Sequence, residues 1–75
     1  MNFRSDLDRC GKNLSRLREK QRMTVDALAA LSGVPKDSIN NFEQGKGGDM
    51  VIGDLLKIAE VLDIELVAIF NRRYG

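Results

Sequence analysis

Apolar side chains recur along the first quarter of the chain at Phe3, Leu7, Cys10, Leu14 and Leu17, at spacings of four, three, four and three. That period marks one stripe of an amphipathic helix. Ser5 is a candidate N-cap ahead of Asp6 and Asp8, and the helix is predicted to run to about Gln21. Gly11 inside it costs about 1 kcal/mol relative to alanine, which suits a position of close packing. Cys10 lies on the apolar stripe and reads as a small core residue rather than a redox sensor. Thr24 is placed to cap a second helix of about Val25 to Ser32, with Asp26 favourable in its first turn and Leu28, Ala29 and Leu31 as its buried side. Gly33 can take the left-handed conformation that ends a helix, and Pro35 has the φ favoured at a first helical position. A third helix is predicted from about Pro35 to Gln44, closed by Gly45, with Gly47 and Gly48 extending the connection. Ile52, Leu55, Leu56, Ala59 and Leu62 mark a fourth helix, about Met50 to Leu62.

The segment from Ile64 to Phe70 is apolar throughout except for Glu65, and its residues favour a strand. A short fifth helix is the alternative. The rest of the chain offers no second strand, so a strand here would have to pair with its counterpart in another copy across a two-fold axis. On that reading Ile64, Leu66, Val67, Ile69 and Phe70 form a dimerisation segment within about residues 63–73. Arg72, Arg73 and Tyr74 are most simply a polar terminus.

Seventy-five residues make one domain, 1–75, near the lower limit at which a single core is stable alone, and such chains often associate with a copy of themselves. No apolar run is longer than Leu66 to Phe70, which is too short to span a bilayer. The N-terminus has no apolar segment of the export type, and a lone cysteine suits a reducing cytosol, so a cytoplasmic protein is expected. The net charge is only +1, but residues 1–24 carry seven basic residues against three acidic ones, while residues 49–75 carry three against five. A positive half and a negative half suggest one side turned to nucleic acid and one turned elsewhere. There is no histidine, no cysteine pair for a metal and no phosphate-binding glycine loop: the run from Gly45 to Gly48 lacks the glycine before and the Ser/Thr after that a P-loop requires. An enzyme, a metal site and a bound cofactor are therefore not expected.

The second and third helices, about residues 25–44, meet the steric requirements of a helix-turn-helix, in which the second helix presents its N-terminal half to base edges. A small residue stands where the helices cross (Ala29), a residue tolerant of positive φ in the turn (Gly33), and apolar residues lock the second helix down (Val34, Ile39, Phe42). Removing the inward positions leaves Lys36, Asp37, Ser38, Asn40 and Asn41 as candidate base readers. Lysine can donate to guanine O6 and N7, asparagine can make the paired contact with adenine, and aspartate can accept from cytosine N4. Lys36 could instead neutralise a phosphate, Asp37 could simply complement the helix dipole, and Asn40 lies nearer the flank than Asn41. Thr24, Gly45, Lys46 and Arg16 are the candidate phosphate contacts.

Taken together, Gly11, Leu17-Arg18, Thr24, Leu28-Ala29, Gly33-Val34, Ile39, Phe42-Glu43, Gly45-Lys46 and Leu55 through Leu62 resemble the lambda-repressor-like (Cro/repressor, xenobiotic-response-element) helix-turn-helix family over residues 10–64. The resemblance implies an all-α domain of four to five helices that binds a palindromic operator on double-stranded DNA as a homodimer. It implies an ion pair between Arg18 and Glu43, with Glu43 anchoring the recognition helix, and base contacts from Lys36, Asp37 and Asn41. Two departures stand out. Val25 replaces a glutamine that contacts DNA in many relatives, and Gly47-Gly48-Asp49 replaces a proline before the fourth helix, giving either slack or a phosphate-binding loop. A β-prone tail resembles antitoxins of the HipB type, whereas other small phage, plasmid and restriction–modification regulators end in a helix. The expected function is a sequence-specific transcriptional regulator, a repressor by occupancy. The alternative is an antitoxin-type module that binds a toxin partner and regulates its own operon.

Overall fold

The computed structural model describes residues 3–46 and 50–70. Five helices follow one another: α1 (Phe3–Lys20), α2 (Val25–Ser32), α3 (Lys36–Glu43), α4 (Ile52–Leu62) and α5 (Leu66–Phe70). Helix α1 packs on α3 and α5, α2 packs on α3 and α4, and α4 meets α5. The core between them is made of Cys10, Leu14 and Leu17 from α1, Leu28 from α2, Val34, Ile39 and Phe42 around α3, Leu55, Ile58 and Leu62 from α4, and Ala68 and Ile69 from α5. Burial pushes the Cys10 thiol above its ordinary pKa, with the charge of Arg9 opposing the shift. That is the behaviour of a packed apolar residue, since a reactive cysteine needs its thiolate favoured.

Helix α1 begins at Phe3, so Ser5 stands within the first turn rather than at the N-cap. Three of the helices end in the same hydrogen-bonded pattern, with a left-handed residue just past the end. After α1 it is Arg22 (φ 56°), with Met23 N donating to Arg18 O at 3.2 Å and Arg22 N to Glu19 O at 2.8 Å. After α3 it is Gly45 (φ 80°), and after α4 it is Asp63 (φ 55°), where Ile64 N reaches back to Ala59 O. Two of the three stops use a residue that is not glycine, yet the expected ends, about Gln21 and Leu62, fall within one residue of those of α1 and α4.

The tail is a helix. Residues 66–70 form α5, and every described element of the chain is helical, so the paired-strand expectation for this segment is corrected. A five-residue strand with no neighbour would leave its backbone groups unpaired, whereas a helical turn satisfies them locally. The turn also buries Ala68 and Ile69 against α1, where Asn13 Nδ2 donates to Ile69 O at 2.8 Å. A second cross-link runs from Gln21 Nε2 to Leu62 O at 2.6 Å and satisfies a carbonyl at the end of α4. Ile69 is therefore core of its own protomer and not a dimerisation residue; Ile64 and Leu66 are half-buried, and Val67 and Phe70 face outward.

Candidate nucleic-acid interface

Helix α2 starts where Thr24 Oγ1 accepts a hydrogen bond from Ala27 N at 3.0 Å, a side-chain cap on an extended residue. It stops at Gly33, which is left-handed (φ 77°) and donates its N–H to Ala29 O at 2.9 Å. A Cβ on Gly33 would meet nothing within 4 Å, so glycine is required there for its backbone conformation and not for space. Ser32 Oγ donates to Leu28 O and accepts from Val34 N, closing the turn. Pro35 then acts as N-cap, so α3 begins one position later than the sequence suggests, and Val34 before it is buried. Local chemistry alone therefore bends the chain between α2 and α3.

The C-terminal end of α3 is fixed from below by α1. A Cβ on Gly11 would strike the backbone oxygen of Phe42 and come within 2.9 Å of that of Glu43, so only glycine lets the two backbones lie this close. Beside that contact Arg18 and Glu43 form a two-pronged pair: Nε to Oε2 at 2.8 Å and Nη2 to Oε1 at 2.9 Å. The remaining Nη1 donates to Met23 O at 2.7 Å, so the same guanidinium holds the loop before α2. Both side chains are nearly buried, at 13% and 10% exposed. The hydrogen bond to Glu43 raises the Arg18 pKa above its already high ordinary value, so the guanidinium stays charged. Glu43 is thus an anchor in the fold rather than part of the outer surface.

The N-terminal end of α3 is open. Lys36 and Asp37 are exposed, and the Lys36 ammonium lies 2.9 Å from Asp26 Oδ1, a contact that bridges the first turns of α3 and α2. Its hydrogen bond to that carboxylate raises the Lys36 pKa. Asn40 and Asn41 are half-buried. Ser38 is the correction: it is only 6% exposed, with Ile39 and Phe42 completing the buried stripe. At about 100° per residue that stripe puts Asp37 and Asn40 nearest the middle of the outer face, with Lys36 and Asn41 on its flanks. The geometry therefore favours Asn40 over Asn41, the reverse of the sequence-based preference.

The phosphate candidates divide. Thr24 and Lys46 are exposed near the two ends of the α2–α3 unit. Gly45 is less suited than expected, because its N–H donates to Phe42 O at 3.0 Å and that of Lys46 donates to Asn41 O at 2.9 Å, both directed back into α3. Asp8 sits against Gly45, and a Cβ there would collide with its carboxylate, so the turn carries a nearby negative charge. Arg16 is exposed on a face of α1 away from Gly11 and Arg18, which receive α3, so the structure does not bring it to the recognition helix. Val25 is half-buried and packs on the core, in keeping with its inability to hydrogen-bond. The connection Gly47–Asp49 lies outside the described residues. Leu31, read as buried, is 65% exposed. The roles of Asp26 and Asp8 were not legible in the sequence, since each partner is distant along the chain.

A helix capped by Thr24, a glycine turn and a second helix with its C-terminal end locked and its N-terminal face open define a helix-turn-helix domain. The chain belongs to the helix-turn-helix family, whose domain matches residues 10–68, and within it to the lambda-repressor-like group. It is 41% identical over 54 residues to the HTH-type transcriptional repressor RghR of Bacillus subtilis (strain 168), a match that covers 72% of this chain and 40% of the relative. The chain thus spans about two-fifths of that relative's length. Among solved structures, the restriction–modification controller protein C.AhdI of Aeromonas hydrophila superposes with a TM-score of 0.82 at 32% identity, covering 88% of this chain and 98% of that one. An HTH_3 family transcriptional regulator from Vibrio cholerae superposes with a TM-score of 0.81 at 29% identity, covering 92% of this chain and 38% of that one. Two of these three proteins are named as transcriptional regulators and the third as a restriction–modification controller. No helix among the described residues is long and apolar enough to cross a membrane.

Proposed function

We propose that the protein is a sequence-specific repressor that binds a palindromic operator as a homodimer and acts by occupying it. The observation that carries this reading is the asymmetry of α3, anchored at Glu43 and Gly11 and presenting Lys36, Asp37 and Asn40 on its open end. In the major groove Lys36 donates to guanine, Asp37 accepts from cytosine and Asn40, with Asn41 beside it, pairs with adenine. Thr24 and Lys46 meet phosphate on either side and supply the salt-dependent part of the affinity.

A dimer places two such helices about 34–36 Å apart, one helical turn of DNA. The outward apolar residues of α4 and α5, Ile52, Leu56, Val67 and Phe70, are the surface offered to a second copy in place of paired strands. The roles of two relatives, a repressor and a restriction–modification controller, support transcriptional control. The helical tail lacks the strand on which the resemblance to HipB-type antitoxins rested, and the toxin-binding alternative keeps only the acidic C-terminal half in its favour.

The test is a binding assay on a library of operator variants obtained by selection from random DNA. Lys36→Ala should change which bases are tolerated, whereas Lys46→Ala should weaken binding to all variants about equally. Equal losses on every sequence for Lys36→Ala would refute base reading by this residue. Light scattering should give a dimer, and a monomer at the concentration of operator binding would refute the symmetric arrangement.

A further inference from the structure

Asp26 lies in the first turn of α2 and is 73% exposed, yet its carboxylate is held against the ammonium of Lys36, itself 54% exposed, across the Gly33–Pro35 turn. Complementing the dipole of α2 would need no partner from another helix, and the 2.9 Å contact is therefore a separate fact about Asp26. Two side chains this exposed form a pair of modest strength, because water screens their attraction and holding both chains costs entropy, so a well-placed acceptor can replace the carboxylate. The pair stands at the open end of the recognition helix, beside the Thr24 cap, where the proposed function puts the DNA backbone. Asp37 also faces Lys36 and adds to the negative surroundings of the ammonium without a hydrogen bond.

We propose that Asp26 is a specificity-determining residue: it holds Lys36 away from phosphate and gives it up to guanine acceptors, so that nonspecific binding is suppressed more than operator binding. The inference rests on the reading that Lys36 meets DNA. Nonspecific affinity comes from cations that neutralise phosphates and release counterions. A lysine already neutralised by a carboxylate releases none. On random DNA, where no base edge replaces Asp26, the pair stays closed and one potential phosphate contact is lost. At the operator, the paired O6 and N7 acceptors of guanine offer directed hydrogen bonds in a groove, and the ammonium moves to them.

The test compares wild type, Asp26→Asn, Lys36→Met and the double variant on two duplexes of equal length, one selected from random DNA with the wild-type protein and one of scrambled sequence. Asp26→Asn should steepen the slope of log affinity against log salt on the scrambled duplex by about 0.9, which is roughly a threefold larger loss between 50 and 200 mM salt. Affinity for the selected duplex should change less, so the ratio of specific to nonspecific binding should fall. In the Lys36→Met background the same substitution should leave the slope unchanged. An unchanged slope for Asp26→Asn alone overturns the proposal. So does equal steepening in both backgrounds, since Asp26 would then act directly on phosphate and not through Lys36. If Lys36→Met itself leaves binding to both duplexes unaltered, Lys36 does not meet DNA, and the proposal falls with the reading beneath it. Thermal unfolding of each variant separates these outcomes from loss of fold.

Discussion

The two ends of α3 are held in opposite ways. At the C-terminal end a backbone-to-backbone approach at Gly11 and a nearly buried, two-pronged Arg18–Glu43 pair leave no freedom. At the N-terminal end the side chains on the outer face are met only by an exposed contact from α2, that of Asp26 with Lys36, among the ion pairs of the described residues. A recognition helix needs both: one end must transmit a fixed angle from the core, and the other must leave its side chains able to exchange water and intramolecular partners for base edges. The energetic contrast is large, because removing one member of a buried pair strands the other charge, whereas an exposed pair contributes little.

Breaking the locked end should produce the largest effect. Glu43→Ala leaves the Arg18 guanidinium with the Met23 carbonyl and the more distant charge of Glu19, and the expected loss is about 3 kcal/mol. For a domain of this size that lowers the thermal midpoint by roughly 12–24 °C, measurable by circular dichroism or calorimetry. A midpoint within a few degrees of wild type would mean that the two ends are not held differently after all. Gly11→Ala comes next. The added methyl meets backbone oxygens, which cannot rotate away, so the helices must part. Overpacking of this kind costs up to about 3 kcal/mol, while alanine's helix propensity returns about 1, for a net loss of about 2 kcal/mol. DNA affinity should fall along with stability in this variant, because the angle of α3 depends on the same contact.

How much of this could be read in the sequence follows from the range of each interaction. The α2–Gly33–α3 joint was legible because its cap, its left-handed glycine and its buried Val34 are all local. The Arg18–Glu43 pair, twenty-five residues apart, was accessible only through family resemblance. Ser38 was misplaced because an eight-residue helix with two apolar positions leaves its rotation undetermined, and tertiary packing chose the stripe that includes it. Leu31 was misplaced for a related reason: α2 is so apolar that only part of it can face inward. The tail was misread because its composition favours a strand while its docking on Asn13 needs a helix. Asp26 was read as a dipole partner, since nothing in a ten-residue separation signals that a sharp turn will bring Lys36 beside it.

A smaller effect is expected at the open end. Thr24→Ala removes the acceptor for Ala27 N and should cost about 1 kcal/mol of stability, with Thr24→Ser recovering most of it. If Thr24 also meets phosphate, its alanine variant should lose operator affinity beyond what the change in folding explains, and binding measured well below the unfolding midpoint would show that excess.

The smallest expected effect sharpens the contrast most, because it repeats one of the larger substitutions where no neighbour is present. Gly53, like Gly11, lies inside a helix, but a Cβ there would meet nothing within 4 Å. Gly53→Ala should therefore stabilise the domain by about 0.5 kcal/mol, less than the full helix-interior difference because the position is in the first turn of α4. The same chemical change should thus have opposite signs at the two sites, read in one denaturant titration series. Should Gly11→Ala also prove stabilising, the close approach of α1 to the end of α3 is not what fixes the recognition helix, and the burden would shift to the Arg18–Glu43 pair alone.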